Sequence, residues 1–415
     1  MEPIARGQWT EQEILAYIRG KKWSKEWRFR GDVYRGGAKI KVVTLLPGSS
    51  VTLDSTADIL RTARFVLYDE LNWLTDEIQP VAMLRMEDAV KVSSVHFATW
   101  RQRDALRWSW ANRDDRGYTW AQRDAGFIET KTRVEQFAEF PLGMFILSTP
   151  TESNPDGVDA YEVEAYDHSL ILIEDSIDEP LYIPAGTKYL DAVQARLVGA
   201  GITNIMIADY VDTETPADRI VPADTPNLTI ANTLLSEINF EPVYFDINGR
   251  AVIEAYKEPA PGAVDMTYVD DDNSILALEL QMQTDYFGTP NVFKSVCSNP
   301  DMDETYTSVY VNDNPLSRTS TVRRGRRIKS EVFEPDQIAS QEELDAFTRR
   351  KAYERTTEKN GQVLFQTAIA PYHGRKDQIG LRHPKISEVV PEYGWTLPLE
   401  PGAWMQHDAR RETQI

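Results

Sequence analysis

The chain has 415 residues, more than one hydrophobic core accommodates, so about two to four domains are expected. Apolar residues make up 41% and charged residues 27%, which excludes wholesale disorder and fibrous repeats, and no apolar run approaches the roughly 18 residues of a membrane span. The 65 acidic residues outnumber 45 basic ones for a net charge of −20, a balance that repels nucleic acid on average.

The segment after Met1-Glu2-Pro3 has no apolar signal region, which predicts a chain made in and retained by a cytoplasm. Residues 1–27 are expected to form an arm. Thr10 and Glu13 have capping-box spacing at the head of a short helix carrying Ile14, Leu15 and Ile18, and Gly20 is placed to end it. Trp23, Trp27 and Phe29 then alternate with Lys and Arg, a pattern that fits either a strand packed on the body or an aromatic anchor for a neighbouring subunit.

Strand composition dominates next, at Lys39–Val43, Val51–Leu53 and Arg64–Tyr68, with a turn at Pro47–Ser50. A second strand set, Gly143–Leu147 and Tyr161–Tyr166, follows only after a long gap, so the first β domain, 28–166, is interrupted by an insertion at about 91–136. That insertion interleaves Trp100, Trp108, Trp110 and Trp120 with six arginines, as a protein interface, a self-packed insertion or a stacking platform for sugars or bases would. Asp104, Asp114, Asp115 and Asp124 stand among the arginines and weaken the field that a phosphate chain needs, which favours an interface.

Residues 167–265 read as a small α/β domain. Thr187 is placed to cap a helix with Leu190, Val193 and Leu197 on one face, and Asn248-Gly249 between two strand-like runs is a strong hairpin signal. Residues 266–400 return to strands at Ile275–Met282, Val292–Val296, Tyr306–Val311 and Val363–Ile369, with a helix opened by the capping box Ser340 and Glu343. Residues 401–415 are expected to be a tail. One basic cluster, Arg318, Arg323, Arg324, Arg326, Arg327 and Lys329, suits an acidic face of an identical neighbour better than phosphate.

Chemistry is sparse. The sequence contains no phosphate-binding Gly-x-x-x-x-Gly-Lys-Ser/Thr loop, no Gly-x-Gly-x-x-Gly, no Gly-x-Ser-x-Gly and no His-Glu-x-x-His. The single cysteine, Cys297, rules out an intramolecular disulfide and a cysteine zinc site, and a buried apolar role is expected for it. His373 and His383 are spaced to share a metal, but a hydrogen-bonded pair is the better expectation; the run Asp270–Asp272 lacks the glycine and distal Glu of a calcium loop. No catalytic residue, cofactor or metal is expected, and the chain is read as non-enzymatic.

Several segments, in order, resemble the baseplate-hub and tail-associated proteins of phage tails and related injection machines. They are Val51–Ala63 with the strand Phe65–Asp69, Pro141-Leu142-Gly143-Met144-Phe145, Tyr161–Leu172 around Ala165-Tyr166-Asp167, Asp313–Ser317, and the passage ending in Pro371-Tyr372-His373. The tryptophan-rich insertion departs from that pattern. The resemblance implies an α+β, mainly β fold, with two tail-tube-like β-barrel domains flanking the α/β domain. It further implies a homotrimer that adapts the hexameric tail tube, or a distal tail protein, to the tip, spike or receptor-binding proteins. Such a hub sits at the distal end of the virion tail and passes the genome without binding it, with no stable membrane insertion. Trp23, Trp27, Trp100, Trp108, Trp110, Trp120, Arg323, Arg324, Arg326 and Arg327 are then the interface candidates. A tail-associated cell-wall hydrolase and a host-glycan-binding module are the competing readings.

Overall fold

The computed structural model describes residues 9–20, 25–86, 89–96, 127–154, 159–258, 264–271, 275–283, 287–299, 304–411 and 415. The fold is mainly β within the α+β class. The chain divides into two compact units, Leu84–Ala138 and the remainder. In the smaller unit, Ala89–His96 pairs antiparallel with Phe127–Val134; Trp100, Trp108, Trp110 and Trp120 lie outside the described residues, as does Trp23.

The larger unit is organised by one sheet. Its hydrogen-bonded order is Leu276–Gln283, Gln362–Ala368, Trp404–Arg410, Ile386–Pro398, Ser50–Asp54, Arg61–Leu67, Ala160–Tyr166, Phe145–Leu147, Asp76–Arg85, Trp27–Arg35 and Ala38–Val43. The early and late β segments expected as separate barrels therefore share a sheet, and among the described residues no pairing closes this path on itself. The seam is the antiparallel pairing of Ser50–Asp54 with Ile386–Pro398, from Ser50↔Pro398 to Asp54↔Gly394. Gly394 permits it: a Cβ there would lie 2.8 Å from the Leu53 carbonyl oxygen. The strand Trp404–Arg410, expected within a tail, alternates exposed and buried residues in register with both neighbours.

Local signals hold where side chains meet the backbone. Thr10 Oγ1 accepts from the Glu13 amide while Glu13 accepts from the Thr10 amide, and the helix runs over Glu11–Gly20. Ser340 caps Gln341–Asn360 by accepting from the Glu343 amide. Asn248-Gly249 turns Tyr244–Phe245 back onto Ala251–Ile253, with Gly249 at φ 73°. Thr187 is not the cap expected: the helix starts at Tyr189, and the Thr187 hydroxyl donates to the Pro184 carbonyl instead. Between the β segments, helices Tyr189–Gly199 and Asn227–Glu237 pack with short strands around Leu190, Val193, Leu197, Leu234 and Phe245, all buried.

Candidate functional site

Three constructions in the larger unit join its parts or face outward. The first is the passage from the first β segment into the α/β segment. Asp167 is buried and accepts from the amides of Arg61 and Ser169 at 2.9 Å each. Burial pushes its carboxyl up despite those amides. The Arg61 side chain, also buried, reaches the Phe245 carbonyl, and Gln79 donates to the Ile247 carbonyl. His168 stands between Glu77 and the Gly249 carbonyl. These bonds fix the α/β segment to the sheet through backbone groups, so its placement depends on shape more than on side-chain identity in the hairpin.

The second is a fully buried polar network in the late β segment. The Glu392 carboxylate receives His373 Nδ1 at 2.6 Å on one oxygen and His407 Nδ1 at 2.5 Å on the other. A carboxylate only accepts, so both Nδ1 atoms carry protons. Each Nε2 then meets a hydroxyl, Tyr268 at 2.6 Å and Thr367 at 2.8 Å. Burial alone would raise the Glu392 pKa, but the two histidines outweigh it and hold the carboxyl down to about 2. Burial depresses His407, more than Glu392 restores. His373, Glu392 and His407 are the residue types of a zinc site, and their ligand atoms lie within 4.8 Å of one another. Here every ring nitrogen already has a partner inside the cluster, and the short contacts are hydrogen bonds. His383, weighed as the partner of His373, instead takes the Lys385 amide.

The third is the basic turn, residues 312–329. Asn312 bonds Ser317, Ser317 bonds Thr319, and Asn291 donates to the Thr319 and Arg326 carbonyls while accepting from the Ile328 amide. Ser320 caps the short helix Thr321–Arg324, and Gly325 ends it in the left-handed conformation. Arg324 folds inward onto the Thr289 carbonyl, and Arg318 pairs with Glu388. Arg323, Arg326, Arg327 and Lys329 stay exposed and, among the described residues, enter no ion pair. Arg326 lies 5.0 Å over the Phe287 ring. Phe287, Leu316 and Val322 are exposed apolar residues of the same region.

Of the sequence candidates, the structure thus places Arg323, Arg326 and Arg327 on one exposed turn and turns Arg324 away from it. Trp27 is 5% exposed and packs on Phe140 at 5.7 Å, so within the single chain its ring belongs to the core. Cys297 is buried, as expected. Glu392 and His407 escaped the sequence reading; the only available signal was a polar residue at an inward position of an alternating strand.

No protein-family model matches the sequence, and no curated protein matches it. The fold does match solved structures over nearly the whole chain. A tail protein from Neisseria meningitidis MC58 aligns with a TM-score of 0.59 at 9% identity, covering 93% of this chain and 97% of that one. The 43 kDa tail protein of prophage MuSo2 from Shewanella oneidensis gives 0.53 at 8% identity over 92% and 98%. The prophage tail protein gp18 from Listeria monocytogenes EGD-e gives 0.51 at 9% identity over 94% and 95%. This chain therefore shares its fold with phage-type tail proteins, and the resemblance read from the sequence holds at the level of the fold.

Proposed function

We propose that this protein is a structural, non-enzymatic component of a phage-type tail tip, at the distal end of the virion. The observation that carries the reading is the end-to-end match: three tail proteins align over 92–94% of this chain and 95–98% of their own lengths. A likeness that spans both β segments and the α/β segment concerns the whole architecture rather than one shared module. In its finer form the chain is a homotrimer that joins a hexameric tube, or a distal tail protein, to tip, spike or receptor-binding proteins, and forms part of the channel through which the genome passes. The net charge of −20 supports passage without adhesion, because negative walls repel a phosphate backbone. Exposed cations at Arg323, Arg326 and Arg327, which enter no ion pair among the described residues, support assembly with an acidic neighbour.

The test is the mass of the purified chain by light scattering over a range of concentrations, with electron microscopy of the same sample. Three protomers in an open ring are expected. A chain that stays monomeric at every concentration overturns the homotrimer, and wall-fragment hydrolysis by that sample would overturn the non-enzymatic reading.

A further inference from the structure

Charge is unevenly shared along this chain. Residues 167–258 hold sixteen acids against five bases, 16 − 5 = 11 negative charges, more than half of the total of −20. Residues 318–329 hold six bases and no acid. Four of the five bases in the acidic segment are engaged there, Lys188 with Asp212, Arg219 with Glu237, Arg250 with Asp246 and Lys257 with Asp209. Apart from these pairs and the half-buried Arg196, the charged side chains of the segment are acidic. Glu174, Asp178 and Glu179 are exposed and, among the described residues, enter no ion pair. Their backbone is fixed: Ile177 exchanges hydrogen bonds with Thr225 and Asp224, and Asn227 donates to Asp175.

We infer that the basic turn of one copy, through Arg323, Arg326 and Arg327, docks on the acidic turn Glu174–Glu179 of a second copy. The two patches are opposite in charge, differ in position on the chain, and are each held by internal hydrogen bonds, so little ordering is needed on contact. Contact between different patches of identical chains is heterologous, and it closes into a ring when the rotation permits. Phe287, Leu316 and Val322 beside the arginines supply the apolar area that charges alone lack. The inference rests on the homo-oligomer of the proposed function and names the surfaces that build it.

The test uses three full-length variants: Arg323→Glu/Arg326→Glu/Arg327→Glu, Glu174→Lys/Asp178→Lys/Glu179→Lys, and the six-fold swap that carries both sets. Sedimentation at low and high salt reads the assembly, and circular dichroism reads the fold. The wild type should assemble and weaken as salt rises; each triple variant should show a dissociation constant raised about tenfold or more, and the swap should recover assembly. If the swap fails to fold, mixing the two triple variants replaces it, and association of the mixture but of neither component supports the docking. A wild type that assembles together with triple variants that assemble equally well overturns the docking and leaves the homo-oligomer standing. A wild type that never assembles overturns both, and if it then binds a short labelled duplex through the same arginines, the turn is a phosphate site instead.

Discussion

Glu392 sits in a strand whose neighbours in sequence, Pro391 and Tyr393, give no hint of its role, yet it is wholly buried with two imidazoles. Replacing Glu392 with Gln sets an amide N–H against one of the two imidazole N–H groups, and leaving a buried donor unmet costs about 1–3 kcal/mol. Urea denaturation near neutral pH measures that loss. The same network makes stability depend on pH. His407 resists protonation when folded, whereas the unfolded chain takes up that proton near the ordinary value of 6.5, so stability falls as pH drops below about 6.5. Glu392 adds a second loss, because its folded pKa of about 2 lies below the ordinary 4.5, and the stability it contributes disappears between those values as acid is added. Urea midpoints measured from about pH 8 to pH 3 should decline in both windows; a flat profile between about pH 7 and 5 would remove His407 from this account. None of this was legible beforehand. The sequence shows histidines 34 positions apart, 407 − 373, and only the sheet brings them onto one carboxylate.

Elements were more legible than contacts. The Thr10–Glu13 and Ser340–Glu343 boxes, the Asn248-Gly249 hairpin and the strand Tyr306–Val311 each depend on chemistry within a few residues, which a sequence displays directly. Thr187 misled because a hydroxyl can serve a turn as well as a cap, and here the Pro184 carbonyl takes it. The strand Trp404–Arg410 resembles a tail in sequence because Gln, Asp and Arg occupy its outward positions, while the inward set Met405, His407 and Ala409 is short and only partly apolar. Ser340→Ala should cost about 1 kcal/mol, the usual worth of such a cap, seen as a shift in the thermal midpoint without a change in fold. No shift would mean that packing along Gln341–Asn360 alone sets the helix start.

At the scale of the molecule, the sequence does not disclose that Ser50–Asp54 pairs with Ile386–Pro398, because strand composition does not name a partner. The sheet order places Trp404–Arg410 between Gln362–Ala368 and Ile386–Pro398, away from either edge. A chain cut after Gly402 should therefore fail to fold, giving aggregated material or a denatured circular dichroism spectrum, whereas a dispensable tail would leave a soluble protein with an unchanged melting curve. The interface candidates divide in the same way: residue type marked a basic cluster, but which arginines face outward was decided by the Asn291 and Asn312 hydrogen bonds that shape the turn.

The pairing of Ser50–Asp54 with Ile386–Pro398 also sets a clock. A ribosome that adds roughly 5–20 residues per second needs on the order of 20–70 s to travel from the first of these strands to the second. Throughout that interval the early strands expose the edge that the late ones will cover, and the sheet cannot be completed before Trp404–Arg410 is made. Completion of this sheet is thus delayed, slowed by the long loop it must close and exposed to aggregation while it waits.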